Sequence, residues 1–357
     1  MKKRMGQIGI VCMGVLALVG CGQGGEKSAG GKGESGLSGE LTVYTAIEEE
    51  LIPTYLESFE EQYPNIDLNI VRDSTGIITS KLLAEGKNTK ADVVWGVQAS
   101  NLLTLEEKNM LAEYSPEGVE EIPEMYRDSK DSTKWTGNLV TASGITVNTA
   151  ELKEMGIEPP KTYKDLLDPK YKGLIAMPHP ASSGTGYLQV STWLQMMGKE
   201  KGWQYMKHLH KNVGIYTHSG SKPIKMAANG EFPISLGLVY SGIQEKQNGA
   251  PVEVYLPKAG LGWDVEANAL INKKNSESDK LAKAFLDWAV SDDVMKEYHQ
   301  AYGLATKNEK LETAKGFPEN FEDLLYKDHN LRQSAKQRSE ILKQWEANFA
   351  EKAEPKK

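Results

Sequence analysis

Residues 41–76 read LTVYTAIEEELIPTYLESFEEQYPNIDLNIVRDSTG, and this stretch decides the fold. Leu41-Thr-Val-Tyr44 has the look of a short buried strand. Ile52, Tyr55, Leu56, Phe59 and Tyr63 then recur at the spacing of one helix face. Pro64-Asn65 breaks that helix, Ile66 to Val71 returns to strand character, and Asp73-Ser-Thr-Gly76 opens a second helix carrying Ile78, Leu82 and Leu83. Asp92-Val-Val-Trp95-Gly96 is the next strand, with Leu102, Leu103 and Leu105 in a third helix. Strand–helix alternation of this kind predicts an α/β layer around a mostly parallel sheet.

The alternation continues outward. Val140 to Asn148 reads as a strand and as a crossing between two halves of the chain. Thr162-x-x-Asp165 is a capping-box variant, Gly173 to Met177 a strand, and Leu188, Val190, Trp193 and Leu194 mark a helix. Pro223 suits the first turn of another helix. Strands are expected at Ile234–Tyr240, Val252–Leu256 and Ala267–Ile271, and a helix at Leu281, Ala284, Phe285 and Trp288. The segment from Phe321 to Phe349 is helical in pattern and charged, suited to packing on one lobe's surface. With 357 residues, 39% apolar and 25% charged, the chain has room for about two domains. A formal charge of −7 argues against a nucleic-acid binder, and two cysteines are too few for a disulfide scaffold or a four-thiolate metal site.

The first residues carry a second message. Lys2, Lys3 and Arg4 precede an apolar run through Ile8 to Val19, ending in Leu18-Val-Gly-Cys21. This is a secretory leader, too short for the ~20 residues of a membrane span. Leu-Val-Gly-Cys resembles the lipobox of bacterial lipoproteins, which implies a signal peptide over 1–20, lipid on Cys21 and membrane attachment outside the cytoplasm. Cleavage would remove Cys12 and three cationic residues, taking the formal charge from −7 to −10 and leaving Cys21 as the one cysteine. Residues 21–39, rich in Gly, Ser, Lys and Glu, read as a flexible tether.

Three junctions share one chemistry. Asp73-Ser74-Thr75-Gly76, Ser182-Ser183-Gly184-Thr185-Gly186 and His218-Ser219-Gly220-Ser221 each place hydroxyls and glycine just before an expected helix. Helix N-termini accept anions without formal positive charge, although Ser, Thr and Asp are also ordinary caps. No P-loop or Gly-x-Gly-x-x-Gly fingerprint is present. His208-x-His210 sets its rings on different helix faces, so no metal site is expected there. His218 beside Ser219 motivates an alternative, an exported phosphate-ester hydrolase, but no Gly-x-Ser-x-Gly elbow supports it and no enzyme is expected. Trp95, Trp193, Trp203 and Trp288 are read as core residues.

Together with the lipobox, several stretches resemble the substrate-binding lipoproteins of ATP-driven (ABC) importers. They are Val43-Tyr-Thr45-Ala46, Arg72-Asp-Ser-Thr-Gly76, Ala91-Asp-Val-Val-Trp-Gly96, Pro180-Ala-Ser-Ser-Gly-Thr-Gly186, Tyr216-Thr-His-Ser-Gly-Ser-Lys-Pro223 and Gly262-Trp-Asp-Val-Glu-Ala-Asn268. The group most resembled binds 2-aminoethylphosphonate (the PhnS-like set), within a class that includes ferric-iron and sugar-phosphate binders. The resemblance implies a periplasmic-binding-protein type II fold, two α/β lobes joined by hinge strands with a cleft between them. Lobe 1 would span 40–141 plus 264–357 and lobe 2 142–263, with crossings at Val140–Asn148 and Val254–Trp263. It also implies a monomer without cofactor, delivering a small anionic or zwitterionic solute to an ABC permease. Thr45, Ala46, Asp73, Ser74, Thr75, Gly76, Ser182, Ser183, Gly184, Thr185, His218, Ser219, Gly220, Ser221 and Tyr240 would line the site. An amine on the ligand would be met by a carboxylate, with Asp264 and Glu266 placed ahead of Glu48, Glu49 and Asp73. Iron binders of the class present two adjacent tyrosines, whereas here Tyr240 is followed by Ser241, which counts against the ferric-iron alternative and leaves sugar phosphate as the other.

Overall fold

The structure is a computed structural model and describes residues 36–128, 133–273, 278–307 and 311–355. The leader, Cys21 and most of the tether lie outside the described residues. Among those described, no helix is long and apolar enough to cross a membrane.

The first alternation forms as the pattern dictates: β1 (Gly39–Thr45), α1 (Ile52–Gln62), β2 (Ile66–Arg72), α2 (Thr75–Glu85), β3 (Val93–Gln98) and α3 (Ala99–Glu107). A long strand follows, β4 (Thr136–Asn148), buried along its whole length, and then the short α4 (Thr149–Glu154). The second alternation comprises β5 (Ile175–Pro178), α5 (Gly184–Met197), α6 (Lys199–His210), β6 (Val213–Thr217), α7 (Lys222–Ala228), β7 (Ile234–Leu238), α8 (Val239–Gln247) and β8 (Val252–Tyr255). β9 (Gly262–Leu270), α9 (Asp279–Trp288), α10 (Asp292–Tyr302) and α11 (Leu331–Phe349) complete the chain. The expected capping box at Thr162 forms, Asp165 accepting from the Thr162 N–H at 2.9 Å and donating its own N–H to Thr162 Oγ1 at 3.2 Å, but it opens only a single 3-10 turn.

The nine strands among the described residues make one mixed sheet, ordered β2-β1-β3-β9-β4-β7-β5-β6, with β8 also on β4. The outer pairs β1/β2, β1/β3, β5/β6 and β5/β7 are parallel, as βαβ units require. The centre is antiparallel, because β4 and β9 run past one another from Thr136↔Asn268 to Ser143↔Gly262. This pair joins two lobes, each with its own core. The first core holds Phe59, Trp95, Phe285 and Trp288, with ring centroids 5.0–5.7 Å apart. The second holds Tyr163, Trp193 and Tyr205, at 5.0–5.6 Å.

Packing departs from the expected division in two places. Ile341, Trp345 and Phe349 of α11 enter the second core, while Ala335 of the same helix lies in the first. The segment assigned wholly to lobe 1 therefore spans both, since its apolar stripe is long enough to reach each core in turn. Val239, Tyr240 and Ile243 of α8, counted with lobe 2, pack into the first core.

Candidate functional site

The parallel strands end at one edge of each lobe, and the loops leaving them face one another. Ligands of open α/β sheets sit at such carboxyl ends. β2 runs into Asp73-Ser74, whose backbone turns into α2. Asp73 Oδ1 accepts from the Ser74 N–H at 2.7 Å, and Ser74 holds the N-cap position without a side-chain capping bond. Thr75 and Gly76 are buried in the first turn. The Gly76 N–H donates to the carbonyl of Ser182, in the other lobe, at 3.0 Å. A Cβ on Gly76 would lie 2.2 Å from the Ala181 carbonyl oxygen, so only glycine lets the two walls approach this closely.

Ser183 caps α5, accepting from the Gly186 N–H at 3.3 Å, and Thr185 is buried beside it. The third loop closes onto α5: a Cβ on Gly220 would stand 2.2 Å from Thr185 Oγ1. Ser219 Oγ accepts from the Lys222 N–H at 3.1 Å, leaving Ser221 free of capping. Ser221 instead donates across the cleft to Glu48 Oε2 at 3.2 Å. Lys225 and Glu50, 3.3 Å apart, make a second, exposed bridge between the lobes. The cleft is thus closed, with Gly76, Ser182, Ser183, Gly184, Thr185, Gly220 and Ser221 brought together. Thr45 ends β1 fully buried, its carbonyl accepting from the Asp73 N–H at 3.2 Å and its Oγ1 from the Ile47 N–H at 3.1 Å, and Ala46 is half-buried next to it.

The carboxylates sort themselves by what already holds them. Glu48 is 8% exposed and pairs with Arg72 at 3.0 Å. Burial nonetheless pushes its carboxyl up, against the pull of Arg72. Glu266 stands on β9, and its Oε2 is buried with no hydrogen-bond partner. Burial raises its carboxyl well above the usual range, and the nearby charges of Asp264 and Glu48 add to this. Asp264 is already engaged within the protein. Its Oδ1 accepts from the Val265 N–H at 2.7 Å and the Ser100 N–H at 3.4 Å, and it faces the buried guanidinium of Arg338. Burial lifts its carboxyl to about 6 against those donors. Glu49 is exposed, and Asp73 is engaged by its own loop. Tyr240 stacks on Tyr302 with centroids 4.6 Å apart, next to the two glutamates.

His218 does not address Ser219 as a base would. Its ring Nε2 is 3.2 Å from the Pro355 carbonyl and its N–H donates to Glu354, so the loop pattern serves attachment rather than proton transfer. Among the described residues no three His, Cys, Asp or Glu converge as a metal would need. Sequence reading did not single out Gln98, Thr141 or Ser143. Gln98 Oε1, Thr141 Oγ1 and Ser143 Oγ are all buried without partners. Thr141 pairs with Asp264 and Ser143 with Gly262 across the central strands. Buried polar groups are almost always satisfied, so these three atoms beside the closed cleft are candidates for contact with a polar solute. A threonine or serine in a strand carries no local signal of this kind; only the crossing of β4 with β9 reveals it.

Residues 54–322 match the family described as bacterial extracellular solute-binding protein. A relative in Haemophilus influenzae, described as an uncharacterized protein, is 33% identical over 72% of this chain and 75% of its own. A probable ABC transporter periplasmic-binding protein of Sinorhizobium fredii, y4fP, is 21% identical over 66% of each chain. Among solved structures, the periplasmic binding protein AfuA of Actinobacillus pleuropneumoniae, with fructose-6-phosphate bound, superposes with a TM-score of 0.80 at 27% identity. The match covers 87% of this chain and 98% of that one.

Proposed function

The chain belongs to the bacterial extracellular solute-binding proteins, and from that premise we propose that the solute it captures for its ABC importer is a small zwitterionic phosphonate, 2-aminoethylphosphonate. The observation that carries this reading is the pairing of opposite chemistries in one closed cleft. The opening turns of α2 and α5 meet across it, where dipole ends and hydroxyls of Ser74, Thr75, Ser183 and Thr185 favour a phosphonate. Glu266 stands on the other side with an enclosed, unpartnered carboxylate oxygen, near Glu48, which is already paired with Arg72, and beside a stacked tyrosine pair, a setting that favours an ammonium at Glu266. A buried cation without such partners would be costly.

A second reading, a sugar phosphate, draws support from the fructose-6-phosphate in the similar AfuA structure and from the unpartnered oxygens Gln98 Oε1, Thr141 Oγ1 and Ser143 Oγ, which a polyol could satisfy. Calorimetry with 2-aminoethylphosphonate, ethylphosphonate and fructose-6-phosphate separates the two. Binding of the aminophosphonate at least ~30-fold tighter than ethylphosphonate, about 2 kcal/mol, supports the zwitterion. Preference for fructose-6-phosphate selects the sugar phosphate, and binding of none of the three overturns both. Attachment through lipid on Cys21 belongs to the same proposal; it predicts metabolic labelling with palmitate that disappears in Cys21→Ser.

A further inference from the structure

The last described residues run beneath one wall of the cleft. Ala353 bridges to Tyr216 as a parallel strand partner, and the Glu354 N–H donates to the Tyr216 carbonyl at 2.8 Å, so this segment adds a short edge to β6. It is fastened just upstream. The Glu351 carboxylate lies 2.7 Å from the His210 ring, whose other nitrogen is 2.9 Å from the Tyr216 hydroxyl. Lys352 Nζ donates to the carbonyls of His210 and Val213 at 2.5 and 2.7 Å.

Glu354 then reaches both ends of the loop that follows β6. Its Oε2 accepts from the His218 N–H at 3.1 Å, and its Oε1 pairs with Lys222 Nζ. Between these two points lie Ser219, Gly220 and Ser221. Gly220 presses on Thr185 at the start of α5, and Ser221 donates to Glu48 in the other lobe. An exposed ion pair alone holds little, and Lys222 is 43% exposed. The bond from a backbone N–H to the carboxylate, 13% exposed, is the stronger tie.

We propose that residues 350–355 buttress the cleft wall 217–222 and that Glu354 is its positioning residue, stapling the loop so that Gly220 and Ser221 meet their partners. The proposal rests on that wall belonging to the solute site, as argued above. Its action runs through the loop, since Glu354 itself touches only His218 and Lys222 there.

Two readouts test it on the intact chain. Hydrogen exchange of the ligand-free protein should show the amides of residues 218–222 opening about tenfold faster in Glu354→Ala, the loss of one charge-assisted hydrogen bond. The rest of the lobe and the melting temperature should stay as in the parent. Affinity for 2-aminoethylphosphonate, or for whichever of the three solutes the parent binds, should fall by a similar factor. Glu354→Gln keeps an acceptor for the His218 N–H and should recover most of both effects. Unchanged loop exchange in Glu354→Ala overturns the staple. So does faster exchange spread over the whole lobe, which would make the residue merely structural, and so does faster loop exchange with undiminished affinity. If the parent binds none of the solutes, the solute assignment fails and loop exchange alone decides the buttress.

Discussion

Gly76→Ala should separate closure of the cleft from stability of the fold. The new Cβ would lie 2.2 Å from the Ala181 carbonyl and 2.7 Å from that of Ser182, against the 3.4 Å at which ordinary contact begins. The walls would have to part by about 1 Å at this point, since packed backbone does not yield by so much locally. Overpacking of this kind costs about 1–3 kcal/mol, and stretching the Gly76 N–H bond to Ser182 forfeits about 0.5–1.5 kcal/mol more. The closed form should therefore be disfavoured by roughly 2–4 kcal/mol, weakening solute binding by ~30- to 700-fold. Inside α2, the exchange favours helix by at most about 1 kcal/mol, so the ligand-free protein should melt no lower than the parent. Calorimetry with whichever solute binds the parent, beside a thermal melt of the ligand-free protein, reads both effects. A dissociation constant within twofold of the parent would refute the argument, and so would a ligand-free melting temperature several degrees lower.

Other expectations follow from the same geometry. Glu266→Gln should weaken 2-aminoethylphosphonate by about 2–5 kcal/mol while leaving ethylphosphonate nearly unaffected, as removing one partner of a buried charge pair does; equal losses for both ligands in calorimetry would count against amine recognition. Asp264, lifted to about 6 in the fold, binds its proton more tightly folded than unfolded, so its contribution is full below pH 4 and is lost as pH rises through 6. Urea titrations at pH 4, 5, 6 and 7 should accordingly show the parent losing roughly 2 kcal/mol relative to Asp264→Asn across that window; parallel profiles would contradict it. Phe59→Ala removes a fully buried ring packed on Tyr63, Phe285 and Trp288 and should cost about 3–5 kcal/mol in denaturant unfolding, with solute affinity unchanged in the folded fraction.

Much of the α/β alternation is legible because each element carries its own periodicity. Tyr55, Leu56 and Phe59 announce α1, and Leu281, Phe285 and Trp288 announce α9, without reference to anything distant. Direction of pairing is not local. β4 reads as a strand from its composition, yet nothing in it says that its neighbour β9 runs antiparallel and makes the sheet mixed. The apolar run Ile234–Tyr240 reads as one strand, but the chain turns helical at Val239 with no intervening polar residue to mark the change. In the site, the hydroxyl and glycine loops advertise helix starts, whereas the state of each carboxylate is a tertiary matter. Asp264 and Glu266 look alike in sequence, two positions apart on one strand. Only folding reveals that Ser100, Val265 and Arg338 occupy the first while the second keeps an unpartnered oxygen.

α11 alters the mechanics of the molecule. It is 19 residues long, about 28 Å at the rise of an α-helix, with Ala335 seated in one core and Ile341, Trp345 and Phe349 in the other. Two strands alone would form a door hinge, free to swing on the line between them. A stiff rod pinned in both leaves converts that door into a torsion joint. Of the possible motions, those that turn the lobes about the rod keep both ends seated, whereas those that swing them apart must pull Trp345 or Ala335 from its socket. Solute entry and release should therefore proceed by a twist of one lobe against the other, with an amplitude set by how far α11 can rotate in place.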